Sequence, residues 1–79
     1  MQHLTYTNLN QRLGDFCKNR RKTDGLSVRE LAEKTQMHHG TITKFEGGVT
    51  DISFSNAIKL FTALEIDFHD IIFIIKTSE

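Results

Sequence analysis

The sequence predicts an all-α fold, a compact bundle of four or five short helices. Three observations carry this expectation. Apolar residues recur at helical spacings of three and four, nothing alternates with a period of two before residue 70, and the 79 residues contain no proline. Turn chemistry is confined to Thr23-Asp24-Gly25, the stretch Gln36 to Gly40, and Gly47-Gly48 through Asp51. With no repeat, linker or low-complexity stretch, residues 1–79 are expected to form a single domain.

Each element has its own signal. In the first helix Leu9, Leu13, Phe16 and Cys17 share one face. Its basic end, Lys18, Arg20, Arg21 and Lys22, complements the helix dipole, and Gly25 stops it. Ser27-Val28-Arg29-Glu30 matches a capping box and opens a second helix that runs out near Thr35. A third spans His39 to Glu46, with Ile42 and Phe45 inward, and a fourth Ser53 to Ala63. Asp67 is a candidate N-cap for a fifth. Short helices must bury their stripes against one another. The expected core is Leu9, Leu13, Phe16, Leu26, Leu31, Ala32, Met37, Ile42, Phe45, Phe54, Ile58, Phe61, Leu64 and Ile66.

After residue 66 the pattern is ambiguous. As a helix, Phe68, Ile71, Ile72 and Ile75 form an apolar face that docks on the bundle, and Phe73 and Ile74 fall off it. As a short strand, Ile71, Phe73 and Ile75 oppose Ile72 and Ile74. The helix is favoured. Either geometry leaves apolar surface, so a homodimer built on residues 68–75, within the apolar segment 67–76, is expected.

Charge is balanced overall but polarised along the chain. Residues 1–48 carry eight Lys/Arg against five Asp/Glu, and residues 49–79 carry two against five. Such a chain can present a basic face while remaining neutral. The lone Cys17 suits a reducing compartment and a buried structural role. The N-terminus has no secretory signal and the longest apolar run, Ile71 to Ile75, is far too short to span a membrane. A cytoplasmic protein with no membrane partner is expected. No nucleophile–base pair or paired carboxylate set has recognisable spacing, so no enzyme and no cofactor are expected. Adjacent His38 and His39 lack both the i, i+4 spacing and the accompanying ligands of a metal site.

The informative stretch is Leu26 to Glu46, LSVRELAEKTQMHHGTITKFE: a capped helix, a turn of about three residues, and a second short helix. Small Ala32 permits close approach of the two helices, and Met37 plugs the corner between them. This helix-turn-helix unit, about residues 27–46, resembles the lambda-repressor-like regulators, also called the xenobiotic-response-element (XRE) family. The resemblance covers roughly residues 9–73. It rests on Gly25-Leu26-Ser27, Glu30-Leu31-Ala32-Glu33-Lys34, Thr41-Ile42-Thr43-Lys44-Phe45-Glu46, and Ala57-Ile58-Lys59-Leu60-Phe61 to Leu64.

The resemblance implies a five-helix bundle whose third helix enters the major groove of double-stranded DNA. By it, His39, Gly40 and Lys44 face base edges, while His38, Thr41 and Thr43 lie nearer the groove walls and phosphates. It also pairs Arg21 with Glu46. Lys22, Arg20, Ser27 and Arg29 are the further phosphate candidates. Two departures stand out. Gln36 occupies a turn position that is usually glycine, so a non-glycine residue is expected in an unfavourable backbone there. Val28 replaces a phosphate-bonding glutamine, so Ser27 or Arg29 takes over that contact or it is absent. The leading expectation is a sequence-specific transcriptional regulator, a homodimer on a palindromic operator. The alternative is an antitoxin or adaptor that masks a protein partner such as a toxin or polymerase.

Overall fold

The computed structural model describes residues 9–76, which form five helices. The expectations drawn from residues 1–8, among them the missing leader, lie outside the described residues. Helix α1 spans Leu9–Thr23, α2 Val28–Thr35, α3 His39–Glu46, α4 Phe54–Ala63 and α5 Phe68–Lys76. The fold is all-α, and the C-terminal segment is helical rather than a strand. No described helix is long and apolar enough to cross a membrane.

Helix α1 packs on α3 and α5, and α2 packs on α3 and α4. Cys17, Leu31, Met37, Ile42, Phe45, Leu60, Leu64 and Ile66 form the core, with Leu13, Phe16, Leu26, Ala32 and Phe61 packed partly buried against it. Three expected core residues are not in it, and Leu9 among them is half-buried at the start of α1. Phe54 and Ile58 are exposed, and Leu60 and Ala57 are buried instead. The stripe of α4 is apolar over more than half its circumference, so hydrophobic spacing alone could not choose its inward side.

Helix α5 differs from expectation for the same reason. Ile74, expected off the docking face, is buried, whereas Phe68 is exposed. Asp70 lies on the α1 side of α5. Its carboxylate accepts from the Asp67 N–H at 3.3 Å while Asp67 accepts from the Asp70 N–H at 3.1 Å, and it lies 3.6 Å from the Arg20 guanidinium on α1. Ile74 is one turn beyond Asp70 and therefore faces α1 as well. Phe68 and Ile72 fall on the opposite side.

The tightest packing is between α1 and α3. A Cβ on Gly14 would collide with the Phe45 carbonyl oxygen and would come within 3.2 Å of the Glu46 carbonyl carbon. Backbone cannot yield as a side chain can, so only glycine allows this approach. Gln36 closes α2 at φ 56°, and its N–H donates to the Ala32 and Glu33 carbonyls. This is the unfavourable left-handed residue expected from the missing glycine.

Two substitutions test this packing by denaturant unfolding. Gly14→Ala should cost about 2–3 kcal/mol or prevent folding, because the added methyl meets backbone. Gln36→Gly should instead raise stability by about 0.5–1 kcal/mol, the relieved left-handed strain less the added chain entropy.

Candidate nucleic-acid interface

The two-helix unit is built by local capping. Ser27 Oγ accepts from the Glu30 N–H at 3.0 Å, and Glu30 answers by accepting from the Ser27 N–H at 2.9 Å. These bonds to Ser27 hold the Glu30 carboxyl below its ordinary range. At the far end of α2 buried Thr35 donates to the Leu31 carbonyl at 2.8 Å. Gln36 and Met37 then turn the chain, with the Met37 N–H returning to the Ala32 carbonyl at 3.1 Å. Met37 is buried at the corner.

His38 starts α3 as its N-cap, with Nδ1 accepting from the Gly40 N–H at 3.1 Å. A neutral ring bonded in this way carries its proton on Nε2, which is a donor for an anion such as phosphate. His39 stacks on His38 with ring centroids 4.9 Å apart. A Cβ on Gly40 would lie 3.0 Å from His38 Nδ1, so glycine there leaves room for the histidine cap.

Helix α3 buries Ile42, Phe45 and Glu46. With 100° per residue, Gly40 and Lys44 then lie at the centre of its outward face, with Gly47 beside them and Thr41 and Thr43 flanking. Lys44 and Thr43 are exposed. Thr43 donates back to the His39 carbonyl at 3.1 Å. His39 sits to one side, lining a shallow cleft with Arg29, Glu33 and His38. The structure thus brings Arg29 beside the two histidines at the start of α3. Lys22 is exposed at the end of α1.

Arg20 departs from its expected phosphate role. Its guanidinium donates to the Leu64 and Glu65 carbonyls at 3.1 and 3.3 Å, approaches Asp70, and lies over the Phe16 ring at 5.6 Å. The carbonyls at the end of α4 attract it because they have no intrahelical partner. It is engaged in the bundle, on the α4–α5 side of α1.

Arg21 turns the other way. Nε donates to Glu46 Oε2 at 2.8 Å and Nη2 to Oε1 at 3.0 Å, both buried, while Nη1 donates to the Leu26 carbonyl at 2.7 Å. This bond to Glu46 raises the Arg21 pKa above its ordinary value. The pair binds α1 to the end of α3. Burial, reinforced by the Glu46 charge, pushes the Cys17 thiol up to about 12, so it is a structural thiol and a poor nucleophile.

Sequence reasoning missed Gly14, which seats α3 from beneath. An isolated glycine inside an apolar helical pattern was its signal.

A capped helix, a three-residue turn and a second helix with a solvent-facing ridge define a helix-turn-helix domain. A helix-turn-helix family model matches residues 18–71, and the chain belongs to that family of DNA-binding regulator domains. The fold is similar to the crystal structure of the clp gene regulator ClgR from Corynebacterium glutamicum. That similarity has a TM-score of 0.77 at 26% identity, and covers 89% of this chain and 74% of that one. No curated protein matches the sequence.

Glu46→Gln leaves the Arg21 charge buried without its counter-charge, and should cost about 3 kcal/mol in denaturant unfolding. Cys17 gives a pH signature. Its unfolded thiol ionises near the ordinary 9.0 and its folded thiol only near 12, so stability present below pH 9 is lost as pH rises between these values. Within that window the wild type should lose about 1.4 kcal/mol per pH unit more than Cys17→Ala, read from paired unfolding curves.

Proposed function

We propose that the protein is a sequence-specific transcriptional regulator that binds a palindromic operator as a homodimer, with α3 in the major groove. The observation that carries this is the outward ridge of α3. Its centre is Gly40 and Lys44, held rigidly from behind by Gly14 and the Arg21–Glu46 pair. Lys44 donates to guanine O6 and N7, and Gly40 lets the backbone approach the base edges. His39 reads from the flank. Arg29, His38, Thr41 and the Ser27 hydroxyl serve the phosphates beside the start of α3, and Lys22 serves them from the end of α1.

A second copy of the chain is the partner that best fits the α4–α5 face. Phe54 and Phe68 are 81% and 78% exposed, and stand at a groove of about 350 Å³ that Ile58, Phe61, Ile66 and Ile71 also line. A two-fold axis brings each patch against its own copy, so projecting rings and receiving groove on one patch are self-complementary. Ile72 extends the same apolar side. Ile74, expected in this interface, belongs to the monomer core and is not part of it. Two half-sites then lie about one helical turn apart, ~34 Å.

Selection of bound oligonucleotides from a random pool at two salt concentrations tests the whole reading. A palindromic consensus is expected; no enrichment would shift the weight to masking of a protein partner through the apolar groove. Lys44→Ala should relax preference at one base pair per half-site, costing about 1–3 kcal/mol there. Lys22→Ala should weaken every sequence alike and reduce the salt slope by about one. Phe68→Glu with Ile72→Lys should give a folded monomer in sedimentation that binds a lone half-site. A double variant that is still dimeric would place the interface elsewhere.

A further inference from the structure

We propose that Arg20 is a positioning residue that sets which half-site spacing the dimer accepts, an inference that rests on the dimeric reading above. Arg20 and Arg21 are consecutive in α1 and act on opposite neighbours. Arg21 holds α3 through Glu46, and Arg20 holds the α4–α5 corner through the Leu64 and Glu65 carbonyls and Asp70. Through one helix these two adjacent residues add a polar link between the reading helix and the dimer face, beside the packing of α2 on both α3 and α4.

Helix α5 is also held by Ile71, which is partly buried against the core. It packs on α1, and on its α4 side lies the open apolar groove. Buried Ile74 anchors its second half, and Asp70 is the charged contact of its first turn. Asp70 also closes the reciprocal cap with Asp67, so the Arg20 contact acts on the first turn of α5 as a unit. The turn before it passes through Glu65 at φ 53°, whose carbonyl Arg20 also holds. Without the guanidinium, α5 can pivot about Ile74. In a two-fold dimer a pivot at the interface is doubled between the two reading helices, while each reading helix itself is untouched.

The test compares wild type, Arg20→Ala, Arg20→Lys and Asp70→Asn on a single half-site and on paired half-sites whose spacers differ by single base pairs. Circular dichroism confirms folding, and Asp70→Asn keeps an acceptor for the Asp67 N–H while removing the charge. Wild type should favour one spacer by about tenfold or more, since displaced half-sites lose base contacts. Arg20→Ala and Asp70→Asn should stay dimeric and bind the single half-site within about twofold of wild type, with spacer preference reduced to about threefold or less. Arg20→Lys, which keeps the charge but not the fork, should fall between. Folded variants with the wild-type spacer profile would overturn the assignment and leave the dimer intact. Uniform loss on all DNA with a shallower salt slope would overturn it by placing Arg20 on a phosphate. A wild type indifferent to spacing would overturn the dimeric reading and this one with it.

Discussion

The rest of the structure depends on one buried ion pair. Arg21 and Glu46 meet with two parallel hydrogen bonds, and the third guanidinium nitrogen is satisfied by the Leu26 carbonyl. Burying two charges is costly, and such a pair adds little net stability compared with apolar groups. Its value is geometric. A forked guanidinium tolerates one orientation of the carboxylate, so the end of α3 has one place to sit. Gly14 adds a second constraint by letting α1 touch the α3 backbone. A helix of only eight residues, unstable alone, becomes a rigid ridge.

That rigidity matters for the chemistry proposed for the ridge. Reading base edges requires donors held in a fixed register against the groove, and ordering them in advance lowers the entropic cost of binding. The start of α3 is ordered differently, by the His38 side chain folding onto the Gly40 N–H. Because that hydrogen bond crowds the Cβ position of residue 40, the histidine and the glycine form one local device. Charge plays a smaller part. Two of the four arginines, Arg20 and Arg21, are engaged inside the bundle, but Glu46 offsets Arg21 within the same stretch, so the positive excess of residues 1–48 is carried mostly by other side chains.

On the other side of α1 the fold ends in an apolar surface. Helix α5 leans on α1 and leaves Phe54, Ile58 and Phe68 exposed around a groove. Rolling α5 towards α4 would cover more of it. The Arg20–Asp70 contact and buried Ile74 oppose that roll.

The sequence by itself determined the helices, their caps and the motif. Ser27 and Glu30 and the inward Ile42 and Phe45 depend on neighbours within a few residues, so local chemistry specifies them, whereas the left-handed turn at Gln36 is what the family resemblance implied. The outward ridge of α3 follows from the same short-range periodicity. What only the tertiary structure decided are the choices in which local chemistry is degenerate. Helices α4 and α5 are apolar over more than half their circumference, so spacing pointed to Phe54 and Phe68 where the folded chain buries Leu60 and Ile74. Arg20 and Arg21 are the same residue type side by side. Only their packed surroundings, a helix end with open carbonyls on one side and a buried carboxylate on the other, assign them separate roles. Gly14 shows the same limit: its need for glycine lies in the Phe45 carbonyl, thirty-one residues away in sequence and in contact only once the chain has folded.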